Sequence, residues 1–242
     1  MNDKKVIYID LETGGPDPRN TCLLQISGAI EINWEIKEKF NTFLIPFPDD
    51  PEITAEATEK HGITKEMIAA NEGNRFIDPK IVFEEFKKML GKYVDPFNKT
   101  DKFIFVGYNC HAFDEPCLRQ FFLKNDDKYF GSWFWYPTVD VMHQYMSDWW
   151  SIRDQIPNFR LETIAGLKGI PVEQDKLHDG LYDIQLTREL FIRREREMQN
   201  MRRVFGQVQQ KLAQQAQANQ EAVDQAAAHA EGDNVPPKQD MN

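Results

Sequence analysis

Three apolar runs near the start of the chain have the length and spacing of β-strands. They lie in "KVIYIDL", "CLLQISGAIEI" and "EKFNTFLIP". The connections between them are short, which favours an antiparallel meander. The predicted strands are Lys5 to Leu11, Cys22 to Ile32 and Glu38 to Pro46.

Helix-like and strand-like patterns alternate after the meander. The apolar segment "KFIFVGYN" indicates a buried strand, and "YPTVDVM" indicates another. A meander followed by alternating helices and strands predicts an α/β layer fold with a mixed sheet. The predicted helices are Thr54 to Ala70, Pro79 to Val94, one that begins near Asp114, Met142 to Trp150, Arg160 to Leu167 and one from about Gly180.

The composition changes after Asn200, where Gln and Ala dominate. Val204, Val208 and Leu212 form a narrow stripe at helical spacing, but the segment has too few apolar residues for a core of its own. We predict a folded domain over residues 1–199 and, over residues 200–242, an extended helix that ends in a disordered tail. The alternative for this tail is a helix that docks on a protein partner.

Length and composition indicate a folded, soluble protein. The chain has 242 residues, of which 41% are hydrophobic and 12% aromatic, so it can fill a sizeable core. It contains no apolar stretch long enough to cross a bilayer, and "MNDKKVIYID" lacks the layout of a signal peptide. We therefore expect a cytoplasmic protein with no membrane partner. Cys22, Cys110 and Cys117 include no Cys-x-x-Cys pair, and we expect them to be reduced and structural.

The formal net charge of -10 changes what kind of nucleic-acid contact is plausible. It argues against a broad basic groove that holds nucleic acid mainly by neutralising phosphates. It leaves open an enzyme that grips only a few terminal nucleotides.

Two carboxylates stand at the end of the first apolar run. Side chains alternate along a strand, so Asp10 and Glu12 project to one side while Ile7, Ile9 and Leu11 project to the other. Like charges at that range repel and raise a pKa unless a cation holds both in the ionised form. An Asp-x-Glu pair on a surface strand is the simpler interpretation of this feature taken alone.

Two more places carry charge where the pattern favours apolar residues. Asp114 follows a predicted strand, at a junction where α/β sheets place ligand sites, although a helix N-cap also explains it. His178 lies five residues before Asp183, near the start of the last helix, where a His can also cap or pack. Together, Asp10, Glu12, Asp114 and Asp183 are four carboxylates on three predicted elements beside a titratable His. Phosphodiester hydrolysis with two Mg2+ or Mn2+ ions requires such a set, with neutral imidazole as the base.

Three segments resemble the exonuclease motifs of the DnaQ-like superfamily, in its Asp-Glu-Asp-Asp-His group. They are "DLETGG" at Asp10, "NCHAFD" at Asn109 and "HDGLYD" at His178. The group includes the proofreading epsilon subunit of bacterial DNA polymerase III, ribonuclease T and oligoribonuclease. The resemblance implies a ribonuclease H-like fold and removal of nucleoside 5′-monophosphates from a 3′ end.

The resemblance also implies a role for each matching residue. It implies two Mg2+ or Mn2+ ions, His178 as the general base, and contacts to the terminal nucleotide near the first two motifs. The implied metal ligands are Asp10, Glu12, Asp114 and Asp183, and the implied substrate contacts are Thr13, Gly14, Asn109 and Phe113.

Two positions depart from the family pattern. "ETGG" replaces the more usual Glu-Thr-Thr-Gly, so we expect a looser backbone at Gly14, and Gly180 stands where Ala is more usual. Tyr182 lies too close to Asp183 for the sister group that uses a catalytic tyrosine. His61, with Gly62 as a helix cap, and His111 are alternative catalytic histidines. Aromatic residues that could stack on bases or pack in the core are Trp133, Trp135, Trp149 and Trp150.

Three functions follow from these interpretations. The first is a 3′-to-5′ exonuclease on single-stranded DNA, either free or paired with a protein partner through the tail. The second is a 3′-to-5′ exoribonuclease that trims RNA or short oligonucleotides, since no motif here reads the 2′-hydroxyl. The third is a non-catalytic binding module for nucleic acid or protein, which would be indifferent to EDTA.

Overall fold

A six-stranded mixed sheet forms the centre of the protein. The computed structural model describes residues 4–232, with only the backbone for residues 222–232. The strand order is β4-β3-β2-β1-β5-β6, with antiparallel β1, β2 and β3 and with β5 parallel to β1. This confirms the predicted meander and mixed sheet. The strands are β1 Lys5–Thr13, β2 Leu23–Ile32, β3 Glu35–Leu44, β4 Phe76–Ile77, β5 Ile104–Gly107 and β6 Val139–Asp140.

Helices flank the sheet and confirm the predicted α/β class. They are α1 Ala55–His61, α2 Lys65–Ala70, α3 Pro79–Leu90, α4 Asp114–Lys124, α5 Phe130–Trp133, α6 Val141–Asp148, α7 Leu161–Leu167 and α8 Gly180–Gly232.

β1 is buried on both faces, which explains its nearly continuous apolar sequence. Ile7, Ile9 and Leu11 enter one core cluster, which contains side chains of α3 and α4. Val6 and Tyr8 enter a second cluster, with the first turns of α8. Asp10 and Glu12 continue this second face, so the last residues of β1 place their charges on the side of the sheet that α8 covers.

Several predicted boundaries are wrong. The helix predicted from Thr54 to Ala70 is two short helices, because Gly62 adopts a left-handed φ of 72° and ends the first of them. β4 was not predicted, since it has only two residues. The strand predicted across "YPTVDVM" is also reduced to two residues, Val139–Asp140.

The chain divides into two compact units, one up to Phe191 and one from Ile192 on. The second unit is helical through Gly232, as predicted for its first part. The predicted disordered end lies in residues 233–242, outside the described residues, and the predicted domain boundary after residue 199 stays a prediction. Between residues 4 and 232 no helix has the length and apolar character needed to cross a membrane. The three cysteines are free and buried, as expected.

Candidate active site

The end of β1 carries the first two carboxylates. Asp10 lies opposite Ser27 of β2, and Glu12 lies opposite Gln25, just before a β-bulge that shifts the register at Thr13. Both carboxylates are half-buried. The two side chains therefore stand on the same face of the sheet, as the alternation predicts.

Asp114 brings the first turn of α4 against β1. Its Oδ1 accepts a hydrogen bond of 3.1 Å from the backbone N–H of Leu11, between the two β1 carboxylates. Phe113, not Asp114, is the N-cap residue of α4, and it makes no side-chain capping bond. The helix-cap alternative for Asp114 is therefore wrong, and its buried carboxylate joins those of Asp10 and Glu12.

Asp183 comes from the first turn of α8. One carboxylate oxygen, Oδ2, accepts a hydrogen bond of 3.3 Å from the backbone N–H of His178, and the other, Oδ1, is buried without a hydrogen-bond partner. Asp179 starts the helix, since its carboxylate accepts from the N–H of Tyr182 and its carbonyl accepts from the N–H of Asp183. His178 itself is exposed and has a left-handed φ of 67°.

Burial and neighbouring acids raise the pKa values of all four carboxylates. For Asp10, burial is the largest cause, followed by the charges of Asp114, Glu12 and Asp183, and its pKa lies well above the usual value. Burial and then Asp183 and Asp114 raise the pKa of Glu12 to about 8. Burial also raises the pKa of Asp114 to about 7 and that of Asp183 to about 6. Lys60 lowers the pKa of Glu12, but this is the smallest of the four effects.

These properties fit a divalent cation. Carboxylate oxygens are hard ligands that suit Mg2+ and Mn2+, and added positive charge would lower all four raised pKa values. The unpaired Oδ1 of Asp183 is a buried acceptor of the kind that a metal satisfies. Within residues 4–221, whose side chains the structure describes, no three Asp, Glu, His or Cys side chains are already gathered as a ligand set. Binding a metal therefore requires these side chains to turn toward one another.

A cavity of about 340 Å³ opens beside Glu12. Its lining includes Thr13 and Phe113, two of the residues predicted to contact the terminal nucleotide, and Gly15 rather than Gly14. Asn109 is not part of this lining; it is exposed, with a φ of 58°. The structure thus brings two of the four predicted substrate contacts together at the cavity and places Gly14 and Asn109 outside its lining.

The expectation of a looser backbone at Gly14 is wrong. Its N–H donates to the carbonyl of Cys22 at 2.9 Å, and its carbonyl accepts from the N–H of Thr54 at 2.8 Å. A Cβ at this position would lie 2.2 Å from Cys22 Sγ. Glycine is therefore required here because the Cys22 side chain occupies the space that a threonine would need.

Gly180, the second departure from the family pattern, is also explained by a lack of space. A Cβ on Gly180 would lie 2.4 Å from Ser27 Oγ and 3.1 Å from Asp10 Oδ2. α8 can therefore approach β2 and Asp10 only with glycine at this position. A family pattern alone cannot show that glycine is required here, because the side chains that fill the space lie on other elements.

The alternative histidines are held by the protein itself. His61 Nδ1 accepts from the N–H of Ile63, and its Nε2 contacts the carbonyl of Thr13 at 3.1 Å, which occupies both ring nitrogens. His111 Nδ1 lies 3.4 Å from a carboxylate oxygen of Glu115. Neither ring is one of the groups that shift the pKa values of the four carboxylates, whereas the charge of His178 lowers that of Asp183.

The aromatic residues considered in the sequence analysis are either held by the protein itself or lie outside the cavity lining. The hydroxyl of Tyr182 accepts from the N–H of Glu173. Trp133 is a core residue, and Trp149 packs on Tyr145. Trp135 and Trp150 are exposed, and neither lines the cavity beside Glu12.

Asp140 is a site residue that the sequence analysis missed. Its carboxylate accepts from the backbone N–H of Asn109 at 3.1 Å, of His111 at 3.2 Å and of His143 at 3.2 Å. It thereby fixes the loop that leads into Phe113 and Asp114. The available signal was an acid between two apolar residues in "YPTVDVM".

Comparisons with known proteins show the family and the fold of the chain. A family model described as "Exonuclease" matches residues 7–191. The zinc-bound form of E. coli ExoI in complex with ssDNA has a TM-score of 0.57 and 20% identity, over 76% of this chain and 38% of that one. A product-bound exonuclease I structure has a TM-score of 0.59 and 18% identity, over 78% of this chain and 42% of that one. The chain thus spans about two fifths of these structures, and a search of curated proteins gave no match.

Proposed function

Because the chain belongs to the exonuclease family of the DnaQ-like superfamily, whose members are 3′–5′ exonucleases, we propose that it removes nucleotides from the 3′ ends of single-stranded DNA. The observation that carries this proposal is the convergence of Asp10, Glu12, Asp114 and Asp183, from β1, α4 and α8, with raised pKa values. Such a set has no stabilising role by itself, since burying like charges together opposes folding.

Membership of this family implies dependence on a divalent metal. We assign two Mg2+ or Mn2+ ions to the four carboxylates, which offer only oxygen ligands. When bound, the ions would supply the Lewis acidity that favours water attack and stabilises the leaving oxygen. The unpaired Oδ1 of Asp183 supports its assignment as a ligand.

His178 is assigned as the general base. The residue is exposed, so its ring can reach the solvent-derived water that attacks the phosphorus, and an imidazole nitrogen can accept the proton of this water. The left-handed backbone at His178 and the bond from its N–H to Asp183 fix where the side chain starts. The two ring contacts of His61 support His178 rather than His61 as the base.

The cavity beside Glu12 is assigned to the terminal nucleotide. Phe113 offers an aromatic face to a base, and Thr13 lies next to the carboxylates. Asn109 is exposed on the loop before Phe113. In this proposal it contacts the DNA at a nucleotide farther from the 3′ end. Gly14 has an indirect role in this proposal. Its N–H and carbonyl are bonded within the protein, so it fixes the backbone next to the cavity.

DNA is favoured over RNA by the fold comparison. The similar structures include E. coli exonuclease I in complex with a dT13 oligonucleotide and in complex with ssDNA. The net charge of -10 supports a grip limited to a few terminal nucleotides. An exoribonuclease with the same chemistry is the alternative that the experiment must separate.

The test is a gel time course with 5′-labelled DNA and RNA single strands of matched sequence, in Mg2+, in Mn2+ and in EDTA. We expect a ladder that shortens from the 3′ end only with metal, and faster with DNA. Asp10→Asn should abolish the ladder, whereas Asp49→Asn, at an exposed position, should leave it unchanged. Faster loss of RNA would shift the assignment to an exoribonuclease, and no metal-dependent loss of either strand would refute the proposal.

A further inference from the structure

The helix of the second unit carries an apolar stripe that faces solvent. Its members recur at spacings of three and four residues, and most are about half exposed or more: Met201 is 56% exposed, Phe205 62%, Val208 48% and Leu212 60%. We call this stripe, together with Met198 before it and Gln215 and Asn219 after it, the seam.

The seam follows a strict seven-residue repeat. Met198, Phe205, Leu212 and Asn219 are separated by one heptad each, and Met201, Val208 and Gln215 form the second row of the same repeat. These rows correspond to the a and d positions of a left-handed coiled coil, because a repeat of 3.5 residues per turn keeps one narrow stripe facing a partner helix.

The apolar face of this helix is exposed rather than packed. Ala and Gln favour a helix, but most helical stability in proteins comes from packing an apolar face. Gly206 lies in the middle of the stretch, where glycine weakens a helix, and nothing lies within 4 Å of a Cβ built there. A partner along the seam would supply the missing packing.

We propose that the seam binds the seam of a second copy of this chain in a parallel, two-stranded coiled coil. The proposal is independent of the enzymatic function and concerns only the second unit.

Charge complementarity favours a parallel pair of identical chains. With Met198 at position a, Glu197 falls at position g and Arg202 at position e of the next heptad. In a parallel dimer, position g of one helix faces position e of the following heptad on its partner. Each Glu197 therefore faces the Arg202 of the other copy, and the two-fold symmetry gives two such pairs.

Asn219 favours the same arrangement. In a parallel dimer each a position faces its own copy, so the two Asn219 side chains meet, and each amide offers both a donor and an acceptor. A single Asn at an a position is known to specify register and a two-stranded state. An antiparallel pair would place this amide opposite a d position instead.

The size of the seam sets the expected affinity. Three heptads with five apolar layers form a small interface, near or below the roughly 1,200 Å² at which stable interfaces begin. We therefore expect a dimer that dissociates in the micromolar range rather than an obligate one.

The first experiment is sedimentation velocity of the full chain from about 1 µM to about 200 µM, where mass action shifts a micromolar dimer. The mass should rise toward twice that of the monomer with concentration. Phe205→Glu with Val208→Lys should keep the chain monomeric over the whole range. Gln207→Glu with Gln210→Lys, which adds the same charges at the same spacing on the outer face, should dimerise like wild type.

Circular dichroism and 3′-end hydrolysis would report that both variants keep the folded first unit. A wild-type chain that stays monomeric at the highest concentration would overturn the proposal, and so would a dimer that both double variants leave intact.

The second experiment tests the parallel register with two matched cysteine variants. Gln215→Cys lies on the seam and Gln217→Cys lies on the outer face, while the three natural cysteines are buried. Mild oxidation should cross-link the first variant several-fold faster than the second. Equal rates for the two variants would exclude a parallel, in-register seam.

Discussion

Glu12→Gln should stabilise the protein in the absence of metal, and more so at high pH. The side chain is half-buried at the end of β1, and burial followed by the charges of Asp183 and Asp114 raises its pKa from 4.5 to about 8. Glutamine keeps the size and shape of this side chain but removes its charge. The substitution therefore isolates the electrostatic cost of the ionised carboxylate.

The sign of the effect follows from the direction of the pKa change. The pKa of Glu12 is higher in the folded than in the unfolded protein. The contribution of protonated Glu12 to stability is therefore fully present below about pH 4.5 and is lost as the pH rises through about 8. One pKa unit corresponds to about 1.36 kcal/mol, and the change from 4.5 to about 8 corresponds to about 5 kcal/mol at full ionisation. Side chains that turn away from one another reduce this value, so we expect a gain of about 2 to 5 kcal/mol at pH 9 and little difference at pH 5.

The assay is urea denaturation of the wild type and the variant in EDTA at pH 5, 7 and 9, followed by tryptophan fluorescence. Glu59→Gln on α1 is the control, because Glu59 is exposed, and it should show no such pH dependence. Mn2+ should raise the stability of the wild type far more than that of Glu12→Gln. Equal stability of wild type and Glu12→Gln at pH 9 in EDTA would refute the repulsive cluster from which the metal site is argued.

Three further changes test other parts of the site. His178→Ala should slow turnover by about 10² to 10⁴ while Mn2+ binding, measured by calorimetry, stays unchanged; an unaltered turnover rate would exclude it as the base. Gly180→Ala should cost about 1 to 3 kcal/mol in urea denaturation, because the added Cβ would lie 2.4 Å from Ser27 Oγ, and the cost should largely disappear in a Ser27→Gly background. Asp140→Ala should destabilise the fold by about 2 to 4 kcal/mol and reduce hydrolysis, since three backbone N–H groups lose their acceptor; unchanged stability would contradict that role.

The sequence could predict the sheet and the carboxylates because both leave a local pattern. Alternation along β1 places Asp10 and Glu12 on one face, and the structure agrees. The position of Asp114 after a strand was also visible. Its partner was not, since the N–H of Leu11 that binds it lies 103 residues away in the chain. A local interpretation of Asp114 alone therefore left a helix cap as an alternative to the predicted metal ligand.

Short elements were unpredictable for a related reason. β4 has two residues, and the side chain of Asn71 holds its start by bonding both the N–H and the carbonyl of Phe76. The closeness of Gly14 to Cys22, and of Gly180 to Ser27, likewise arises only when β2 is in place. Such contacts depend on the assembled sheet and leave no periodic signal in the sequence.

The distribution of the carboxylates along the chain has a consequence for biosynthesis. Asp10 and Glu12 lie on the first strand, whereas Asp183 lies at the start of α8, whose first turns close one face of that strand. A growing chain that has not yet released residue 183 from the ribosome has two or three of these acids and lacks His178 beside the fourth. Contacts between such distant segments form late in folding. Nucleolytic activity should therefore appear only on completion of the domain, which keeps partly synthesised chains inert toward nucleic acid near the ribosome.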